Sequence, residues 1–475
     1  MPLFQRIAGF RFNPAFRTLK THTGCPKREG ASGRRSGPEH PSLKEREVLT
    51  IYHFAQDGKA LRSQLNRSVS FDPESRRTVD EILLRVRNEG DAAVLDYTER
   101  FQGVRLAEMK VSAAEIDRAY AEADPEFIGI LQEAFANITA FHRNEAERSF
   151  FYEQKGGVIL GQRVTPMEKA LLYVPGGKAS YPSSVLMNAA PAQVAGVSEI
   201  YMTTPCDAEG NVSPHILAAA KVAGVTSVYK LGGAQAVAAF AFGTESIPKV
   251  DIVTGPGNKY VALAKKQVFG HVSIDSIAGP SEVVVIADDS ADPEFIVMDM
   301  FAQAEHDPDA SAVLITPSGK LAAAVQETAD RLVGTMLRGE VIARALRDNG
   351  AIVVTGSMAE ACRVSDMIAP EHLELHVENP WGILPDLRHA GAIFMGQWSC
   401  ETVGDYFAGP NHTLPTNGTA RFFSPLSVRD FVKHTSIIAY SKEELGRTGE
   451  KIARFADHEG LQAHAEAVRT RLRKL

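Results

Sequence analysis

From Thr78 onward the chain alternates between two hydrophobic periods. Val79, Ile82, Leu83 and Val86 recur at helical spacing, and Gly90 stops the run. Ser112-Ala113-Ala114-Glu115 has the form of a capping box, with Val111 and Ile116 placed as a hydrophobic staple. Asp124-Pro125 opens another helix, expected to reach Arg148. The pattern then shortens. Apolar runs at 170–174, 199–202, 227–231, 251–253 and 283–286 predict strands, and helical segments fill the gaps, one opening at Ser213-Pro214. This alternation predicts βαβ units and a mostly parallel sheet. A second unit follows. Asp292 and Pro293 start a helix expected to run through His306, and strands at 312–315 and 351–354 accompany helices near 321–332 and 358–367. After Gly391-Ala392-Ile393-Phe394 comes a loop-rich segment, then a tail from Lys442 with Ile452, Phe455, Leu461 and Val468 at helical spacing.

The glycines add a functional hint. Pro175-Gly176-Gly177, Gly232-Gly233-Ala234-Gln235 and Gly255-Pro256-Gly257-Asn258 each follow a predicted strand. In open α/β sheets ligands bind beyond the carboxyl ends of the strands. Glycines there let backbone approach a phosphate, and helix N-termini favour its charge. The three turns are expected to converge on one edge, either as a phosphate cradle or merely as tight strand-to-helix connections. None matches the G-x-G-x-x-G fingerprint.

Composition narrows the class. Hydrophobic residues make up 44% and charged residues 23% of 475, as in a globular protein of two or three domains. No apolar run approaches the roughly 20 residues of a membrane span. A net charge of −7 gives no reason to expect nucleic acid. The four cysteines, Cys25, Cys206, Cys362 and Cys400, are scattered without a CxxC pair, so a reducing, cytoplasmic setting is expected. Residues 1–50 differ from the rest. They are basic and free of acid as far as Glu29, which leaves either a disordered extension, the preferred reading, or organelle targeting.

Two side-chain pairs suggest chemistry. Gln303 and His306 would share a helix face and could bind a divalent metal, although a polar pair at a helix end is commoner. Glu371 and His372 set a carboxylate beside an imidazole, both proton-transfer groups. Asp405, Glu459 and His464 read alone as turn or surface-helix residues, and Cys400 as a buried thiol rather than a nucleophile.

Longer strings resemble the histidinol dehydrogenase family. They include Tyr173-Val174-Pro175-Gly176-Gly177, Gly232-Gly233-Ala234-Gln235-Ala236, Gly255-Pro256-Gly257-Asn258 and Ala278-Gly279-Pro280-Ser281-Glu282. Gln303-Ala304-Glu305-His306, Pro370-Glu371-His372-Leu373, Gly404-Asp405-Tyr406, Asn411-His412-Thr413-Leu414-Pro415 and Ala463-His464 continue the match in the same order. The resemblance covers nearly everything after the first fifty residues. It implies two Rossmann-like units of aldehyde-dehydrogenase-like type, with small helical N- and C-terminal pieces. The corresponding division is 1–50 as extension, 51–70 as a small N-terminal segment, 71–172 with 282–426 as the first α/β domain, and 173–281 as the second, which carries the NAD-contacting turns. Residues 427–475 form a helical segment that crosses to the partner of a homodimer. The implied activity oxidises L-histidinol through L-histidinal to L-histidine, with two NAD consumed and one Zn2+ per subunit. By the same resemblance the zinc ligands are Gln303, His306, Asp405 and His464, and NAD contacts Tyr173, Gln235 and Asn258. Substrate contacts are Ser281, Gln303, His306, His372, Asp405, Glu459 and His464, and the acid/base pair is Glu371 and His372. His412 lies in a matching string without an assigned role. The alternative is a sister zinc and NAD dehydrogenase of another small alcohol, such as a sulfonated diol. Glu459 and His464 favour histidinol.

Overall fold

The computed structural model describes residues 47–65, 71–176 and 180–475. The extension expected over residues 1–50 lies outside the described residues as far as Arg46. Its last four residues belong to the fold, contrary to that expectation. Val48 and Leu49 are buried, the Val48 N–H donates to Asp330 Oδ1 at 2.9 Å, and the Leu49 carbonyl accepts from Gln326 Nε2 at 2.9 Å.

Two parallel sheets carry the architecture. One has the order Ser227–Tyr229, Glu199–Thr203, Lys169–Tyr173, Ile252–Thr254, Ser273–Ile274. The other has the order Ile51–His53, Ala351–Val354, Ser311–Thr316, Glu282–Ala287, His372–His376, Ala392–Met395. In the first, the chain starts at an interior strand, builds outward on one side, then crosses to the other; in the second, it lays down the edge strand Ile51–His53 and then repeats this order from the interior strand Glu282–Ala287. The reversal lies between Lys169–Tyr173 and Ile252–Thr254 in the first, and between Glu282–Ala287 and His372–His376 in the second. Such reversals open a crevice between the flanking connections.

The strands read as continuous apolar runs because both faces are covered. Leu171 and Tyr173 point into one core and Ala170, Leu172 and Val174 into the other. Val283, Val285 and Ala287 alternate in the same way with Val284 and Ile286. The stripe Val79, Ile82, Leu83, Val86 packs with helices Gly233–Phe242 and Lys259–Val268, against the five-stranded sheet. Helix Pro125–His142 packs on Pro182–Ala195, over the other face of that sheet. Residues 71–172 therefore sit with 173–281, not with 282–426 as expected. The strand Lys169–Tyr173 is the centre of the five-stranded sheet, so no boundary can fall at its end.

A third, antiparallel sheet was not expected. Val158–Pro166 pairs with Phe150–Gln154 on one side and with Val432–Ala439 on the other. The helix expected to reach Arg148 ends at His142, followed by one 3-10 turn. The C-terminal segment, expected to be helical, opens with a strand before helices Lys442–His458 and Gln462–Leu472. All of Phe150–Gln154 is exposed, so no buried alternation marked it in the sequence.

Candidate active site

The site begins where a helix and a strand face each other. Asp292 caps helix Pro293–Ala304 by accepting from the Glu294 N–H at 2.8 Å, and Gln303 lies buried in its last turn. The helix stops two residues short of His306. The His306 N–H still reaches the Gln303 carbonyl at 3.3 Å, and this turn keeps the two side chains together.

Glu371 and His372 enter the strand His372–His376 next to Glu282. Glu371 Oε2 accepts from the Glu282 N–H at 2.9 Å, and His372 Nδ1 lies 3.1 Å from the Glu282 carbonyl oxygen. A carbonyl can only accept, so Nδ1 carries the hydrogen and Nε2 is left with a lone pair. That Nε2 is buried without a hydrogen-bond partner among the described residues and lies 3.8 Å from Asp405 Oδ1. Burial pushes the imidazole down to about 3, so it is neutral at physiological pH. Burial also holds the Glu371 carboxyl well above its ordinary range, with the charges of Glu282 and Asp405 adding to the effect.

Helix Glu401–Tyr406 presents Glu401 and Asp405 one turn apart. The Glu401 N–H donates to Glu374 Oε1 at 2.7 Å. With its amide nitrogen turned toward Glu401, Gln303 donates to Glu401 Oε2 at 2.8 Å and Oε1 at 3.1 Å; the same nitrogen lies 3.1 Å from His372 Nδ1, whose own hydrogen is directed to the Glu282 carbonyl. His306, Glu401 and Asp405 each offer a ligand atom within 4.8 Å of the others. Burial raises Asp405 to about 7. It raises Glu401 well above the carboxylate range, where Asp405 and Glu371 add repulsion. His306 is pushed down by the crowding around its ring, although the residue is exposed. Carboxylates packed together, two imidazoles and an amide are the donor set of a divalent cation, and its charge would relieve the repulsion. The residues present therefore fit a metal. His412 is close enough for its charge to act on His372, and that of His306 on His412.

The expected NAD contacts gather at the carboxyl end of the five-stranded sheet. Tyr173 ends its strand, and its hydroxyl accepts from the Gly233 N–H at 3.0 Å. Burial pushes this phenol up to about 12. Gln235, in the first turn of helix Gly233–Phe242, is buried, and neither polar atom of its amide has a hydrogen-bond partner among the described residues. Asn258 caps helix Lys259–Val268, its amide oxygen accepting from the Tyr260 N–H at 3.0 Å and the Val261 N–H at 3.2 Å. Between them Gly255 has φ +105° and packs against the Tyr173 carbonyl too closely for a side chain. A buried ion pair holds this turn. Lys265 Nζ pairs with Asp275 Oδ1 and donates to the Gly255 carbonyl at 2.8 Å, while Asp275 Oδ2 accepts from the Gly255 N–H at 2.8 Å. An orphaned amide over glycine turns at a switch point fits a nucleotide. Gly177, in the remaining expected turn, lies outside the described residues.

The family model for histidinol dehydrogenase matches residues 65–472. The chain belongs to the histidinol dehydrogenase family. It is 87% identical over 428 residues to a histidinol dehydrogenase of Chlorobaculum tepidum, covering 90% of this chain and 100% of that one. A histidinol dehydrogenase of Chlorobium luteolum is 73% identical over 427 residues, covering 90% of this chain and 96% of its own. The crystal structure of histidinol dehydrogenase from Elizabethkingia anophelis superposes with a TM-score of 0.86 at 36% identity, over 90% of this chain and 99% of that one. The sulfonated-diol alternative has no support among these relatives.

Of the histidinol dehydrogenase residues expected from sequence, Gln303, His306, Glu371, His372 and Asp405 come together in one chain. Ser281 is half-buried and adjoins them through Glu282, its carbonyl accepting from the Ser311 N–H at 3.0 Å. Glu459 and His464 do not join. Glu459 closes helix Lys442–His458, His464 lies on Gln462–Leu472, and both are exposed. Glu401 was missed as a site residue. Its only signal was its position one helical turn before Asp405. Cys400 is half-buried at the start of the same short helix.

Proposed function

We propose that the protein oxidises L-histidinol through L-histidinal to L-histidine, with two NAD and one zinc ion per subunit. The observation that carries the reading is the neutral Nε2 of His372, without a hydrogen-bond partner among the described residues, set among Gln303, His306 and Asp405 and beside Glu371. In the first step His372 Nε2 takes the hydroxyl proton as hydride leaves the carbinol carbon. Nδ1 stays bound to the Glu282 carbonyl, which keeps the ring in the accepting tautomer. The aldehyde must next be hydrated before it can lose a second hydride. Glu371 takes the proton of that water, and the hydrate then loses hydride and a proton to become the acid.

Gln303, His306 and Asp405 would hold zinc, with His464 from a second copy as the further ligand. Bound zinc supplies Lewis acidity and a template for the imidazole and amine of the substrate. Tyr173, Gln235 and Asn258 would hold NAD, and Ser281 and Glu459 would contact substrate.

A homodimer fits the exposure of Glu459 and His464. Phe150, Phe151, Ile438, Ile452 and Phe455, on the antiparallel sheet and the C-terminal helices, also leave apolar surface uncovered. Among the described residues no helix is long and apolar enough to cross a membrane, and a cytoplasmic location belongs to this reading.

The test counts NADH formed per histidinol consumed. Two are expected, with histidine as product. Removing metal with a chelator should stop turnover while NAD still binds. Turnover that persists in metal-free protein, or a ratio of one, overturns the reading.

A further inference from the structure

A primary amide can face a cation with its oxygen or with its nitrogen, and only the oxygen can act as a ligand. Gln303 is wholly buried in the last turn of helix Pro293–Ala304, so neither end of its amide can turn to water. Its neighbours therefore decide which end meets the ion that Gln303, His306 and Asp405 would hold.

Glu401 makes that choice. Its two carboxyl oxygens lie 2.8 and 3.1 Å from one end of the Gln303 amide. A nitrogen at that end donates to both, whereas an oxygen would face two oxygens in an interior that screens charge poorly. Either Glu401 oxygen can accept, so one acceptor remains even when the other carries a proton. The hydrogen on His372 Nδ1 is directed to the Glu282 carbonyl and does not favour the reverse orientation.

Glu401 is itself held in place. It is 3% exposed, and its N–H donates to Glu374 Oε1 at 2.7 Å. Glu374 is hydrogen-bonded to Asp299, which lies one helical turn before Gln303. Gly404 lets the short helix Glu401–Tyr406 lie close on strand Ala392–Met395, because a Cβ there would come within 2.6 Å of the Phe394 ring. The carboxylate and the amide thus meet at a separation fixed from both sides.

We propose that Glu401 is a positioning residue that engages the Gln303 nitrogen and so leaves the amide oxygen to the metal. This role rests on the reading of Gln303, His306 and Asp405 as zinc ligands, and it needs no further ion. The competing account makes Glu401 a ligand itself, since one of its oxygens lies within 4.8 Å of ligand atoms of His306 and Asp405.

The test is zinc affinity of the full-length protein, read by competition with a chromophoric chelator. Glu401→Leu should bind zinc about 10–100-fold more weakly than the parent, the range for a lost partner of a metal ligand. Glu401→Gln keeps an acceptor oxygen and should recover most of that loss. In a Gln303→Ala background, Glu401→Leu should cost less than about threefold, because no amide is left to orient. Equal affinity in the parent and Glu401→Leu overturns the role. So does a Glu401→Gln as weak as Glu401→Leu, or an undiminished loss in the Gln303→Ala background. A parent that binds no zinc is a different result, which overturns the metal reading and this role with it. Crystals of the zinc-loaded parent need no variant. Gln303 Oε1 is expected on the ion with its nitrogen on Glu401, and a Glu401 oxygen on the ion refutes the assignment.

Discussion

Asp275→Asn is the sharpest probe of the cofactor half of the site. In the parent, Asp275 pairs with Lys265 and accepts from the Gly255 N–H, while Lys265 donates to the Gly255 carbonyl. Both charged side chains are almost wholly buried, at 2% and 3% exposure for Lys265 and Asp275. Asparagine keeps the size and the acceptor oxygen, so Gly255 can remain bonded. The charge is lost, however, and the Lys265 ammonium is left inside the protein without a counter-ion. Breaking a buried pair from one side costs about 3–5 kcal/mol. For a chain of 475 residues the unfolding entropy is about 1 kcal/mol per degree, so Tm should fall by about 3–5 °C. The turn that Lys265 holds at Gly255 should loosen as well. If loosening weakens NAD binding by about 1.4 kcal/mol, KM for NAD rises about tenfold, and KM for histidinol should stay within about twofold. Thermal melts and steady-state kinetics read the two effects separately. The double variant Lys265→Met/Asp275→Leu should recover most of the lost Tm, because it removes both charges, but not the KM for NAD. A Tm loss below about 1 °C in Asp275→Asn, with unchanged kinetics, would show that the pair neither stabilises the fold nor shapes the turn.

Two further outcomes follow from the same geometry. Glu371→Gln should slow oxidation of added histidinal by about 100-fold or more, the range of a lost general base, and histidinol oxidation to histidinal much less. Single-turnover measurements of each half-reaction decide this, and equal slowing of both removes the division of labour between Glu371 and His372. His412→Gln should make the metal-free protein less sensitive to acid. His412 is held at about 4, below its ordinary 6.5, so between those values the unfolded chain gains a proton that the native chain does not. Native stability is therefore lost as pH falls through that window, by about 1.4 kcal/mol per pH unit. Melts at pH 6.5 and 4.5 should show a shallower decline in the variant, and parallel declines refute it.

Much of this protein was legible from local pattern. The capping box at Ser112 forms, with Ser112 and Glu115 bonding reciprocally. Asp292-Pro293 starts its helix, and the apolar runs form parallel strands, because caps and hydrophobic period act over a few residues. The family strings named the residues that meet around His372. What the sequence did not hold was partnership over distance. Strand Lys169–Tyr173 looked like the end of one unit and is the centre of another sheet, since a strand's neighbours are chosen by the crossovers on either side. The exposed Phe150–Gln154 strand left no buried period to read. Glu401 and Glu374 look like ordinary surface acids in sequence. Only the closing of helix against strand, with water removed, turns one into a partner of Gln303 and the other into a buried group facing His376. Local chemistry chose the side chains, and desolvation in the folded layer decided what each one faces.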